Sequence, residues 1–295
     1  MYDIKQHTGF LRHLVLREGV HTGQLLVNLV IAPKHFESVP AHSSIREMLK
    51  QDFCKDPVLQ EQVTSLVVTE NNGLADIVKS QDAKTETLRG DGHYFEEIIL
   101  NVQEETSSTR RRVSPFSFFQ TNTLGAELLF STAVAMAGAI KGNIIDLYCG
   151  SGTIGLSFLK AGLGSKVKGI EIVEDAVKDA YFSAKINGLE ERSDFYAGKA
   201  EQLLQQGVID SDFFVGNDLV IVDPPREGLH PDVVNFLNTL KQQYSYKLLY
   251  ISCNPLTLAR DIELLQAGHP RTIESIQPVD MFPHTQHIEC IGVLT

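Results

Sequence analysis

The stretch DLYCGSGTIGL, residues 146–156, decides the fold. An apolar run, Ile144 to Cys149, stops at three glycines, Gly150, Gly152 and Gly155, and apolar residues then resume at helical spacing. Glycine lets backbone turn tightly and approach a ligand closely. The spacing is G-x-G-x-x-G, with Glu171 at the end of the next apolar run, where a carboxylate can accept from both hydroxyls of an adenosine ribose. A dinucleotide and S-adenosylmethionine both fit. Asp146 lies inside the strand and needs partners, and the loop's own N–H groups are the natural ones; a structural role and a ligand contact are both open.

Outward from this loop, strands and helices alternate. NIIDLYC, KVKGIEI, SDFYAG, DLVIVDPP and KLLYISC read as strands, and EDAVKDAYFSAKING and PDVVNFLNTLKQQ as helices between them. That alternation predicts an α/β fold with a parallel sheet covered on both faces, its ligands held outside the carboxyl ends of the strands. TIESIQPVDMF and HIECIGVLT, joined by PHTQ, predict a closing antiparallel pair.

Residues 1–113 read differently. LRHLVLREG, HTGQ and LLVNLVIA form a predicted hairpin with Gly23 in its turn, SIREMLKQDF a short helix, SLVVTE and LADIV strands about an NNG turn, and LRGDGHYFEEIIL another hairpin. The expected organisation is a strand-rich α+β subdomain over 1–113 and an α/β domain over 114–295.

Composition excludes several classes. Apolar residues make up 43% of 295 and charged residues 21%, which suits a chain with a packed core. The N-terminus lacks the apolar stretch of a signal peptide, and no run approaches a membrane span. The four cysteines, Cys54, Cys149, Cys253 and Cys290, show no metal-ligand spacing. Free thiols fit a reduced, cytoplasmic compartment, or an organelle if an N-terminal address has been removed. A net charge of −11 argues against broad nucleic-acid affinity and leaves room for a local basic patch, for which Arg110, Arg111 and Arg112 are the candidates; a solvated turn is the plainer reading.

Two further strand ends carry chemistry. DPPREGL, 223–229, stops its strand with paired prolines that stiffen the loop holding Asp223 and Arg226. YISCNP, 250–255, puts Cys253 at a strand end ahead of a helix, LTLARDIELLQ. Helix N-terminal N–H groups there are expected to draw the thiol pKa downward. A buried, unreactive thiol is the alternative.

Together these motifs resemble the RNA 5-methyluridine methyltransferases, which use S-adenosylmethionine. The resemblance runs over 114–295, through FFQTN (118–122), DLYCGSGTIGL, GIEIVEDAV (169–177), DPPREGL, YISCNPLTLARD (250–261) and MFPHTQHIE (281–289). It implies a Rossmann-like class I methyltransferase domain, with 1–113 as the RNA-facing region, acting on C5 of a uridine in transfer or ribosomal RNA. It makes Cys253 the nucleophile and Glu289 the base, the latter expected to be desolvated within the apolar strand IECIGVL; read without the resemblance, Glu289 is equally an outward-facing strand residue. Gln120, Tyr148, Gly150, Gly152, Thr153, Glu171 and Asp223 match cofactor positions, although Asn is frequent in the family where Thr153 stands. Phe119, Arg226, Asn254 and His287 are assigned to the substrate, with Phe116, Phe118 and Phe119 as alternative stacking residues for a base drawn out of its stack. Phe119 could instead be core, as could Tyr148, and Gln120 could be a surface residue. His284 and His287 flank Glu289 without a third ligand, so no metal is expected, and Cys149 and Cys290 read as core.

Many family members carry an N-terminal RNA-binding β-barrel, and some an iron–sulfur cluster; neither is visible here. A short or trimmed monomer, with weak RNA binding and retained cofactor binding, is the expectation. The rival functions are a cytosine-C5 RNA methyltransferase, an NAD-dependent dehydrogenase on the same glycine loop, and an RNA-binding or chaperone protein without activity.

Overall fold

A computed structural model describes residues 2–35, 47, 50–52, 55–75, 77–78, 80, 82–102, 104–216 and 218–295. The chain forms two compact units, one of Met1–Glu97 with Arg112–Phe116 and one of Ile98–Arg111 with Ser117–Thr295.

The first unit is built on a four-stranded sheet in sequence order, β1 (Leu11–Glu18), β2 (Leu25–Ile31), β3 (Val63–Glu70) and β4 (Lys84–Arg89). The β1–β2 hairpin forms as expected, with Gly23 in its turn, and β2 runs parallel to β3. Asp56 caps the short helix α1 (Pro57–Gln62) by accepting from Val58 and Leu59 N–H, and Pro57 at the first helical position has no N–H to satisfy. The helix expected at SIREMLKQDF falls largely outside the described residues, as does Cys54. LADIV forms no strand among the described residues. Its backbone carbonyls are taken by side chains instead: Arg12 donates to Ala75 O, as it does to Asn71 O and Gly73 O in the turn before it, and Asn71 Nδ2 donates to Ile77 O and Val78 O.

The second hairpin also differs from expectation. β4 pairs with β3, and β5 (Tyr94–Val102) pairs with β6 (Glu105–Val113). Side chains of α2 (Thr123–Ala137) explain why most of this hairpin goes with the second unit rather than ending at 113. Glu127 accepts from Ile99 N–H at 2.8 Å and Ser131 from Asn101 N–H at 3.1 Å, while Ile98 and Leu100 are buried.

The second unit carries a seven-stranded sheet in the order β12-β13-β11-β10-β7-β8-β9. Its strands are β7 (Ile144–Leu147), β8 (Val167–Glu171), β9 (Ser193–Ala197), β10 (Asp218–Val222), β11 (Tyr246–Ser252), β12 (Ile273–Val279) and β13 (Glu289–Leu294). Only β13 runs against the rest. β7 and β10 are buried along their whole length, as strands covered on both faces must be. On one face, α5 (Ala200–Gln205), α6 (Pro231–Gln243) and α7 (Pro255–Gly268) set Leu204, Leu237, Leu258 and Leu265 against Val220, Val222 and Leu248. Helices α3 (Thr153–Lys160) and α4 (Glu174–Ile186) follow β7 and β8. From β7 the chain winds outward through β8 and β9, then returns to place β10 on the other side of β7. That reversal opens a crevice at the carboxyl ends of β7 and β10.

Candidate active site

The glycine loop at the end of β7 is braced from beneath. Asp146, fully buried, accepts from Gly155 N–H at 2.9 Å through Oδ2, while its Oδ1 has no hydrogen-bond partner among the described residues. Burial raises its pKa to about 7, with Glu171 adding to the rise and Arg111 and the Gly155 bond opposing it. Arg111, also fully buried, donates to Thr153 O and Ser157 Oγ, both at 2.9 Å, and burial lowers its pKa to about 9. Arg111 is therefore a brace for the start of α3 and not part of a basic patch. Sequence alone could not separate it from its exposed neighbour Arg110.

The glycines divide by task. An added Cβ at Gly150 would meet nothing within 4 Å, so this position faces open space where a ligand can approach. At Gly152 the Cβ would lie 2.9 Å from the Phe195 ring, so its glycine serves internal packing. Between β7 and this loop Tyr148 holds a left-handed backbone, φ 64°. Glu171 accepts from Gly150 N–H at 3.0 Å and Val173 N–H at 2.8 Å. Each oxygen keeps a lone pair for a further donor.

The crevice is a cleft of about 690 Å³, within the range of small-ligand sites. Gly150 and Glu171 line one part of it and Asp223, Arg226, Cys253 and Glu289 another, with Phe118, Gln120 and Tyr148 also on its wall. Strand register explains why Cys253 and Glu289 meet. Ser252 pairs with Cys290 across the antiparallel β11–β13 ladder, and one further step sets Cys253 opposite Glu289. Residues 36 apart in sequence thus reach one point, which no local pattern could foretell.

The charges here differ in part from expectation. Glu289 is only 6% exposed, and burial raises its pKa against the opposing pull of Arg226. Asp223 is pushed well above the usual carboxylate range by burial and by Glu289. The Cys253 thiol is raised, not lowered: partial burial comes first, the carboxylates of Glu289 and Asp223 add to it, and Arg226 only partly offsets them. The helix N-terminus is the weaker influence because Asn254, not Cys253, occupies the cap, accepting from Leu256 N–H.

The remaining assignments separate. Phe119 is 9% exposed and packs into a recess of about 40 Å³ beside the cleft, which Thr153 also lines. Phe118, 66% exposed, is on the cleft wall together with Tyr148 and Phe282, whereas Phe119 is not. Asn254 caps α7 and donates to Arg226 O at 3.2 Å, a positioning task, and His287 stands 3.5 Å from Arg226 Nη2. Neither is on the cleft wall. Lys199, Glu201 and Phe282 line the cleft without having been singled out: no motif covers Lys199 or Glu201, and Phe282 lies within MFPHTQHIE, where nothing local set it apart. Cys149 and Cys290 are buried, as expected of core residues. Among the described residues no group of three or more metal-ligating side chains forms, and no helix is long and apolar enough to cross a membrane.

Comparison with known proteins gives this geometry a family. A sequence model described as tRNA (Uracil-5-)-methyltransferase matches residues 74–295. An uncharacterized RNA methyltransferase of Enterococcus faecalis is 38% identical over 301 residues, covering 100% of this chain and 58% of that protein. One from Caldanaerobacter subterraneus subsp. tengcongensis is 36% identical over 302 residues, covering 99% and 58%. The chain thus spans little more than half the length of these relatives. Among solved structures, the Pyrococcus abyssi tRNA (uracil-54, C5)-methyltransferase in complex with S-adenosyl-L-homocysteine is similar at TM-score 0.71 and 30% identity, covering 100% of this chain and 62% of that one. A putative methyltransferase from Streptococcus mutans, TM-score 0.51 at 8% identity, shares the fold alone. With the Rossmann-like sheet, the glycine loop and the Cys253 cleft in place, the chain belongs to the tRNA (uracil-5-)-methyltransferase family.

Proposed function

We propose that this chain transfers a methyl group from S-adenosylmethionine to C5 of a uridine in transfer or ribosomal RNA. The observation that carries this is the meeting of Cys253 and Glu289 in the same cleft as Gly150 and Glu171. The open space at Gly150 and the carboxylate of Glu171 suit the adenosine half of the cofactor, and Gln120, Tyr148 and Asp223 line its continuation. S-adenosylmethionine, when bound, supplies an electrophilic methyl group.

C5 of uracil is too weak a nucleophile to take that methyl unaided. Cys253 Sγ, once deprotonated, adds to C6, and the ring electrons move toward C5 and O4, leaving C5 nucleophilic. After methylation Glu289 removes the C5 proton, the C5–C6 double bond re-forms, and the S–C6 bond breaks to release Cys253. A carboxylate with a raised pKa is the better base for this step. Phe118 offers an exposed ring on which an extruded base can stack, and Arg226 a cation at the same wall.

The reading is tested by incubating the protein with S-adenosylmethionine and bulk RNA, then analysing nucleosides by mass. 5-Methyluridine is expected. 5-Methylcytidine in its place would assign the base to the rival pyrimidine, and binding of NAD in preference to S-adenosylmethionine would overturn the cofactor assignment.

A further inference from the structure

Around α7 one carboxylate joins the segment that carries Cys253 to the loop that carries Arg226. Asp261 is fully buried on α7. Its Oδ2 accepts from Leu229 N–H at 2.7 Å, in the loop after β10, and from Tyr250 OH at 2.6 Å, on the strand that ends just before Cys253. Its Oδ1 accepts from Arg260 Nε at 2.9 Å, and Arg260 Nη2 reaches on to Glu227 O at 2.7 Å. Asn254 Nδ2 adds a bond to Arg226 O. The 223–229 loop is thereby held at 226, 227 and 229 by residues 254, 260 and 261. Contact is close enough that a Cβ on Gly228 would fall 2.4 Å from both Asp261 Oδ2 and Arg260 Nη2. The paired prolines stiffen the loop from its other end.

We propose that Asp261, with Arg260, is a positioning residue that locks the Arg226 loop to the Cys253 segment, so that nucleophile and cation stand preassembled on the cleft wall. The proposal rests on the reading of Cys253 as nucleophile. Its physical basis is that a buried carboxylate accepting two buried donors and a guanidinium is hard to displace, because the buried Leu229 N–H and Tyr250 OH would lose the acceptor they share. A loop tied only through solvent-exposed bonds would leave Arg226 free to swing away from the thiol. The groups that face the thiol are then Arg226, Asp223 and Glu289, of which only Arg226 favours the thiolate.

Wild type, Asp261→Asn, Arg260→Ala and Cys253→Ala are compared for S-adenosylmethionine affinity by calorimetry, turnover on bulk RNA, and, where Cys253 is present, the pH profile of its alkylation by iodoacetamide, read on its own peptide. Asp261→Asn is expected to lower turnover by about 10–100-fold, with cofactor Kd changed by less than about twofold. Its alkylation midpoint should rise, because Arg226 is no longer held beside the thiol. Arg260→Ala, whose guanidinium is half-exposed and whose loss leaves the core intact, should show the same shifts at smaller size, and it decides alone if Asp261→Asn does not fold. Folded variants with wild-type turnover and midpoint, or a turnover loss matched by an equal loss of cofactor affinity, would overturn the proposal. Retained turnover in Cys253→Ala would instead overturn the nucleophile reading, which separates the two failures.

Discussion

At the scale of single residues, the proposed chemistry rests on the thiol and its carboxylate neighbours. Cys253 and Glu289 were assigned their roles only through the family resemblance; read alone, a buried unreactive thiol is the plainer use of the first position and an outward-facing strand residue an equal use of the second. The direction of the thiol's pKa shift was not legible, because it depends on Glu289 and Asp223 approaching from other strands. A raised pKa means a protonated thiol at neutral pH and a thiolate fraction that grows as pH climbs through the folded-state value. Glu289→Gln removes one of the negative charges holding that value up. Its alkylation midpoint at Cys253 should therefore fall relative to wild type, measured as the pH dependence of the iodoacetamide rate; an unchanged or higher midpoint would contradict the electrostatic assignment. The aromatic assignment is a second case. FFQTN offered two adjacent phenylalanines, and only tertiary packing shows that Phe119 is buried while Phe118 lines the cleft. Phe118→Ala should weaken RNA turnover by about 1–3 kcal/mol in transition-state terms while sparing stability, whereas Phe119→Ala should lower the melting temperature. Turnover kinetics and thermal denaturation of both variants would show whether the roles are reversed.

At the scale of elements, the α/β half was readable almost strand by strand. Apolar runs ended by Gly, Asp-Pro or Ser-Cys marked β7, β10 and β11, and Pro231 opened α6 at the expected residue. The N-terminal strands were harder, because LADIV has a strand's composition but its carbonyls at Ala75, Ile77 and Val78 are held by Arg12 and Asn71, with Arg12 63 residues from Ala75 in sequence. The glycine loop shows the same limit. One motif supplies both Gly150 and Gly152, yet one faces the cleft and the other faces Phe195. Each alanine substitution costs about 1–2 kcal/mol for a left-handed backbone. Gly152→Ala should lose roughly a further 1–3 kcal/mol from overpacking against Phe195. Gly150→Ala should keep most of its stability and lose S-adenosylmethionine binding, because its methyl enters the open space of the cleft. Denaturant titration and calorimetry on the two variants measure this directly, and equal binding by both would refute the division of tasks.

At the scale of the whole molecule, a net charge of −11 sets the terms for meeting an anionic polymer. The cleft proposed for the cofactor lies within the second unit, so cofactor binding should be indifferent to salt. RNA association should be weak and fall with salt at a log–log slope of about −3 or shallower, the mark of a few phosphate contacts rather than a broad basic face. Fluorescence anisotropy with labelled RNA across a salt series gives that slope, and a much steeper one would reveal a basic surface not evident in the charge balance. The account stands or falls on the bond between Cys253 and the pyrimidine. Its most direct test is to incubate Glu289→Gln with S-adenosylmethionine and RNA, denature, digest with nuclease and protease, and weigh the peptide that contains residue 253. A mass increase matching a methylated uridine on Cys253, larger in yield than in wild type, is the predicted result; an unmodified Cys253 peptide alongside accumulating 5-methyluridine would contradict the mechanism.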